Sequence, residues 1–137
     1  MNFTHKLVAI INKDLDTGVA MNSIAHMVLG LGAHAGPTTL KLDTYMDKEK
    51  NLYPNISQMP FIILKAKSSE IRKTVHSARE LNILHGVFLN TMTGGSFQEQ
   101  LDKTIDTTEE ALIFYGIVLF GDIEQVSQIT KKFSLYK

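Results

Sequence analysis

Asn22 and His26 stand four residues apart in a stretch otherwise filled with apolar side chains. Four residues is just over one helical turn, so on a helix the two share a face. Histidine ordinarily titrates near neutrality, so His26 could serve as acid, base or hydrogen-bond donor in a pocket that Asn22 helps to line. The competing reading is structural: a core histidine whose ring is satisfied by a backbone carbonyl or by Asn22. The sequence favours that second reading, because buried polar groups find partners whether or not they catalyse.

Two further groups sit beside apolar runs. Asn90, Thr91 and Thr93 precede Gly94-Gly95, and hydroxyls with free backbone N–H groups on such a loop suit a carboxylate or a phosphate. A flexible turn before an inserted helix explains the same residues equally well. Lys13 and Asp14 follow the first apolar run and could bind a ligand, although an Asp there more often turns the loop. Arg72, Lys73, His76 and Arg79 read as a solvated helix face, diluted by Glu70 and Glu80.

Several chemistries are excluded. The chain has no cysteine, so disulfides, thiolate catalysis and cysteine-ligated metals are impossible. Its five histidines lack metal-ligand spacing, and neither metal nor cofactor is expected. Gly30-Leu31-Gly32 does not follow a strand, so it is no dinucleotide fingerprint. No serine sits in a nucleophile-elbow context. No catalytic residue is assigned beyond the candidate His26.

Apolar residues make up 44% and charged residues 20% of 137, which is the size and make-up of one globular domain spanning residues 1–137. Fourteen basic residues balance fourteen acidic ones. The basic excess of a nucleic-acid-binding protein is missing, and nothing opposes self-association. The N-terminal apolar run of residues 7–11 is too short for a signal peptide. No stretch approaches the roughly 18 apolar residues of a membrane span, so the expected location is the cytoplasm.

The elements that must hold these residues follow from patterning. Residues 7–11 and 61–64 read as strands buried on both faces. Residues 19–31 read as a helix that must be covered on more than one side, with Asn22, Ser23, His26 and Gly30 in one narrow polar sector and Gly30 or Gly32 at its end. Ser68 caps an amphipathic helix carrying Ile71, Val75, Ala78 and Leu81 on one face. A third strand covers residues 83–89 and the strongest candidate for a central strand covers 112–120. Ser96 to Glu99 fits a capping box before a short helix, and Thr107 to Glu110 fits a second. Asp122 and Gln125 open a last helix with Ile123, Val126 and Ile129 inward, and residues 133–136 end as an edge strand. Residues 36–59 carry turn signals and short strand pieces, and whether they cover the pocket as a lid is left open. Strands alternating with helices give an α/β fold: a three-layer α/β/α sandwich with a mixed four- to five-stranded sheet and helices on both faces. Ligands of such sheets sit beyond the carboxyl ends of the strands, which points to loops 12–18 and 90–95 if their strands run the same way.

Three stretches in order carry a resemblance. The first is Asn12-Lys13-Asp14-Leu15, Gly18 and an apolar helix with Ala25-His26. The second is Leu64-Lys65-Ala66-Lys67-Ser68 before Ala78-Arg79-Glu80-Leu81. The third is Gly116-Ile117-Val118-Leu119-Phe120-Gly121 with Val126, Thr130 and Phe133-Ser134-Leu135. This layout resembles the type II peptidyl-tRNA hydrolases. Ala20-Met21-Asn22, Leu29-Gly30-Leu31-Gly32 and Asn55-Ile56-Ser57 before Pro60 bring it closer to an uncharacterised bacterial family sharing that fold, domain of unknown function 2000. The resemblance implies that fold and a homodimer. It also implies lost catalysis. The hydrolases place a Lys after the glycine that opens the first helix, where this chain has Val19, and an Asp at the end of the third strand, where it has Asn90. Val19 cannot bind an ester oxygen, and Asn90 cannot take a proton as a general base. Residues 94–108 look inserted. The expected function is binding of a small polar ligand at Asn22, His26, Asn90, Thr91, Thr93, Lys13 and Asp14. The alternatives are an ester or amide hydrolase with His26 as base, including residual peptidyl-tRNA hydrolase activity, and a homodimeric interaction protein.

Overall fold

The computed structural model describes residues 3–137. The chain runs β1 (His5–Asn12), α1 (Thr17–Thr39), β2 (Leu42–Met46), β3 (Leu52–Ser57), β4 (Phe61–Ala66), α2 (Ser68–Glu80), β5 (Leu84–Leu89), α3 (Phe97–Ile105), β6 (Phe114–Asp122), α4 (Ile123–Thr130) and β7 (Ser134–Leu135). Single 3-10 turns lie at Asn90–Met92 and Glu109–Ala111.

A run of consecutive apolar residues can be buried only where both faces of a strand are covered. β1 meets that condition. Leu7, Ala9 and Ile11 pack into a cluster with Ala20, Met27 and Leu31 of α1. Val8 and Ile10 point the other way, into a cluster with Ile71, Val75 and Ala78 of α2 and Val126 of α4. The main sheet has the order β5-β6-β1-β4-β7. β4 is parallel to β1, whereas β6 is antiparallel to both β1 and β5. The sheet is therefore mixed, with five strands and helices on both faces. β1, rather than β6, is its middle strand.

The first helix departs most from its expected form. It does not stop at Gly30 or Gly32 but continues to Gly36, where φ of 84° breaks the helix before Pro37. Its core stripe is Ala20, Ser23, Met27 and Leu31. Ser23 is thus not in the polar sector: it is fully buried, and its hydroxyl donates to the Val19 carbonyl at 2.8 Å. Within the single chain α1 is covered on its sheet side only, and Met21 and Leu29 are 65% and 75% exposed.

Residues 42–57 form a separate two-stranded hairpin, with Met46 opposite Leu52 and Leu42 opposite Ser57. Asp47 closes its turn. The carboxylate accepts from the Tyr53 hydroxyl at 2.7 Å and from the Asn51 and Glu49 N–H groups at 2.9 and 3.0 Å. These bonds, led by that of Tyr53, hold the Asp47 carboxyl below its ordinary range.

At the helix ends, Ser96 and Glu99 form the expected capping box, and Asp122 accepts from the Glu124 and Gln125 N–H groups at 3.0 and 3.2 Å. Ser68 is not the cap of α2. Lys67 holds that position, and Ser68 is the first helical residue. Ile123 of α4 is 37% exposed rather than inward, and Val126 and Thr130 fill the inner face. No helix of the described residues is long and apolar enough to cross a membrane.

Candidate functional site

Because β5 and β1 are both antiparallel to β6, loops 12–18 and 90–95 emerge at one edge of the sheet. β6 begins at that edge, so its first backbone groups need partners there. Asn12, 3% exposed, donates from Nδ2 to the Phe114 carbonyl at 3.0 Å and accepts from the Asp14 N–H at 2.9 Å. The Ser68 hydroxyl accepts from the Phe114 N–H at 2.8 Å. Asn90 Oδ1 accepts from the Ile113 N–H at 3.0 Å, and the Asn90 N–H donates to the Ile113 carbonyl at the same distance. Three polar side chains of this edge are thus engaged in anchoring β6.

Thr93 donates from its hydroxyl to the Asn90 carbonyl at 2.8 Å. Thr91 is 2% exposed, and its hydroxyl lies 2.7 Å from that of Thr104 on α3. Thr104 Oγ1 is also 2.7 Å from the Gln100 carbonyl. A hydroxyl has one proton, so Thr104 donates to that carbonyl and accepts from Thr91. Gly94 and Gly95, at φ 72° and 67°, supply the left-handed turn into α3. Lys13 and Asp14 have exposed side chains on the neighbouring loop.

His26 lies elsewhere. It is exposed rather than enclosed, so the reading of a core histidine does not hold. Asn22, His26, Gly30 and His34 repeat every four residues along α1 and form one stripe of its surface. His26, Gly30 and His34 line a cleft of about 750 Å³ that is closed by β5 and by Gln100, Leu101 and Thr104 of α3. Asn22 is exposed one turn before the lining begins. The His26 ring stacks on Phe88 of β5, with centroids 5.2 Å apart and planes 20° apart. The Phe88 ring in turn lies 6.2 Å from that of Tyr115.

Gly116 has no room for a side chain beneath α1. A Cβ there would fall 2.8 Å from Met27 Cε and 3.1 Å from the Ile10 carbonyl. One at Gly86 would make ordinary contact, 3.5 Å from the Met27 carbonyl. Bare backbone at Gly116 lets Met27 seat on the sheet, one residue from the His26 ring that stacks on Phe88.

Sequence reasoning missed His34, His85, Gln100 and Thr104 as cleft residues. His85 Nδ1 is 2.8 Å from the Ile83 carbonyl. A carbonyl can only accept, so in the neutral ring Nδ1 carries the proton and Nε2 is left as an acceptor. No Asp, Glu, Lys or Arg is among the residues lining the cleft. Among the described residues, no three His, Asp or Glu side chains are grouped to hold a metal ion, and no hydroxyl or carboxylate hydrogen-bonds to His26. The arrangement suits binding by stacking and neutral hydrogen bonds better than proton transfer to a bound nucleophile. The hairpin of residues 42–57 contributes no wall to this cleft. On α2, His76 hydrogen-bonds Glu109, and that bond holds the Glu109 carboxyl below its ordinary range. Arg79 Nη1 is 3.6 Å from the same carboxylate.

A family model described as a protein of unknown function, DUF2000, matches residues 5–137. The chain belongs to the DUF2000 family. The fold of this DUF2000 protein is similar to that of a protein of unknown function from Agrobacterium tumefaciens, with a TM-score of 0.85 and 22% identity over 99% of this chain and 100% of that one. No curated protein matches the sequence.

Proposed function

We propose that this DUF2000 protein is a non-hydrolase relative of the type II peptidyl-tRNA hydrolases. It binds a small, flat, uncharged polar ligand in the cleft beside His26, and it works as a cytoplasmic homodimer. The observation that carries the ligand reading is the His26–Phe88 stack at the wall of a cleft of about 750 Å³ whose lining holds imidazoles, an amide and a hydroxyl but no formal charge. A charged ligand would lose hydration there with no counter-charge to replace it. A flat ring finds an aromatic platform and neutral donors and acceptors.

The kinship with the hydrolases rests on the order of short motifs along the chain, and the loss of activity on Val19 and Asn90. Asn90 serves the backbone of Ile113, a role that needs an acceptor and no proton transfer. In this reading Thr91 supports the cleft from beneath through the Thr104 hydroxyl 2.7 Å away, Thr93, Lys13 and Asp14 belong to loops outside the lining, and Asn22 extends the α1 stripe beyond the cleft. Nucleic acid is not a partner, given fourteen basic against fourteen acidic residues. An ester or amide hydrolase with His26 as base is the weaker reading. The ring is open to solvent, but the nearby Thr104 hydroxyl gives its proton to a carbonyl.

Two assays test the proposal. Peptidyl-tRNA hydrolysis, run beside a genuine type II enzyme, should show no turnover, and turnover near that control would return the enzyme reading. A thermal-shift screen of small aromatic amides, beginning with nicotinamide, should raise the melting temperature of the native protein and not of His26→Ala. Equal shifts in both proteins would remove His26 from the site.

A further inference from the structure

α1 contains no Asp, Glu, Lys or Arg over its 23 residues, and it buries only one stripe against the sheet. On its outer side Met21, Ala25, Leu29 and Ala33 form a single ridge at four-residue spacing, and all four are exposed. The ridge alternates large, small, large, small. Beside it lies a groove of about 790 Å³ whose floor is Ile24, Val28 and Gly32 and whose far wall is Phe61 and Ile63 of β4. A contiguous exposed apolar surface of this kind marks an interaction face. A bilayer is a poor cover, because α1 has no basic residue to meet anionic lipid.

We infer that α1 pairs with α1 of a second copy about a two-fold axis, and that the ridge Met21-Ala25-Leu29-Ala33 sets the register. This deepens the homodimer of the function proposed above, and it is independent of the ligand cleft. In an antiparallel crossing centred between Ala25 and Leu29, Met21 faces Ala33 of the other copy, and Ala25 faces its Leu29. The two-fold repeats both pairings, so every large side chain meets a small one. The alternation of large and small side chains lets the two ridges fit against each other, and a self-matching patch is what a two-fold interface requires. The groove gives the partner's Met21 and Leu29 room beyond the ridge. Its electrostatics fit a second copy as well, since a face without charge desolvates no ion when it meets itself.

The stretch before the kink at Gly36 is roughly 28 Å long at 1.5 Å per residue. A ridge of that length about 10 Å wide covers roughly 300 Å² per copy, below the roughly 800 Å² of a standard interface. A contact of that size fits a weak, reversible dimer.

Sedimentation velocity over a concentration series tests both parts. The native chain should show a reversible monomer–dimer equilibrium. Ala25→Leu should raise the dissociation constant about tenfold or more, because the new side chain meets Leu29 of the other copy. The exchange A25L/L29A should restore it, because one large and one small residue again face each other. Both positions are exposed in the monomer, so the variants should fold, and circular dichroism checks this. In the cysteine-free chain, a mixture of A25C and L29C proteins should cross-link more readily than either alone. A native protein that stays monomeric to about 200 μM would overturn the homodimer itself. A native dimer indifferent to A25L, or one that A25L/L29A fails to restore, would overturn this register and leave the dimer standing.

Discussion

The imidazole of His26 lies flat against the ring of Phe88, 5.2 Å between centroids, with one residue on a helix and the other on the neighbouring strand β5. Neither ring is held there by a hydrogen bond. The contact follows from how closely α1 sits on the sheet, where the Met27 side chain ends against Gly116, a position with no room for a Cβ. Site and fold are therefore linked through backbone that carries no side chain.

Gly116→Ala tests that link. The added methyl would meet Met27 Cε at 2.8 Å, Ile11 Cδ1 at 3.0 Å and the Ile10 carbonyl at 3.1 Å. The methionine end can swing away but the carbonyl cannot, so we expect a loss of about 1–3 kcal/mol. Urea unfolding measures the loss. A shift of the His26 ring resonances in the same variant would report α1 lifting from the sheet.

Gly30→Ala should do the opposite. A Cβ at Gly30 meets nothing within 4 Å, so packing within the monomer does not require glycine there. Replacing a mid-helix glycine by alanine contributes about 0.5–1 kcal/mol. For a chain of this size that corresponds to roughly 2–5 °C in melting temperature. The same methyl enters the cleft between His26 and His34, so the thermal shift given by aromatic amides should shrink. Higher stability with undiminished binding would show that the ligand does not approach α1 at Gly30.

Asn12→Ala should be among the more damaging single changes at the sheet edge. It removes the donor to the Phe114 carbonyl and the acceptor for the Asp14 N–H in a side chain that is 3% exposed. A buried carbonyl left without a partner costs about 1–3 kcal/mol. Denaturant unfolding should show a loss of about that size. An unchanged midpoint would mean that water replaces both bonds.

The hairpin turn should respond to acid. The Asp47 carboxyl is held below its ordinary 3.8, first by the Tyr53 hydroxyl and then by Asn51. A group whose pKa is lowered on folding binds fewer protons folded than unfolded. Its stabilising effect is complete above about pH 3.8 and fades as the pH falls through the lower folded value. Glu109, lowered from 4.5 by His76, behaves with the same sign. Amide exchange at Asn51 should therefore quicken in strong acid relative to its intrinsic rate, and Asp47→Asn should flatten that response.

The buried framework was legible in the sequence, and its reasons are local. β1 and β6 announce themselves because strands covered on both faces show unbroken apolar runs; β4 shows the same kind of run, but only Leu64 of residues 61–64 is buried, and Phe61 is 36% exposed. α2 shows its inner face through Ile71, Val75 and Ala78, and the Ser96 cap was readable from spacing alone. The hairpin of residues 42–57 was not. Tyr45, Met46, Leu52, Tyr53 and Ile56 are all exposed, so no inward face impressed a period on the sequence, and Pro54 and Asn55 broke what remained. The orientation of α1 was hidden for a related reason. With no charged residue, nothing in the sequence marks its solvent side, and nothing there separates Ser23, which faces the core, from exposed His26. Ending the helix at Gly30 or Gly32 also removed His34 from view. Its place eight residues after His26 was the available signal. His85 interrupts the apolar pattern of residues 83–89 without breaking the strand, because β5 lies at the edge of the sheet, where a polar residue is tolerated.

The most direct test of the ligand cleft is a titration of the ¹⁵N-labelled protein with small aromatic amides, nicotinamide first, followed by two-dimensional NMR. Ligand binding in the cleft should give saturable shifts gathered at His26, Gly30, Phe88 and Thr104, absent in His26→Ala. Saturable shifts gathered instead along Met21, Leu29 and Phe61, or no saturable shift with any amide of the panel, would contradict it.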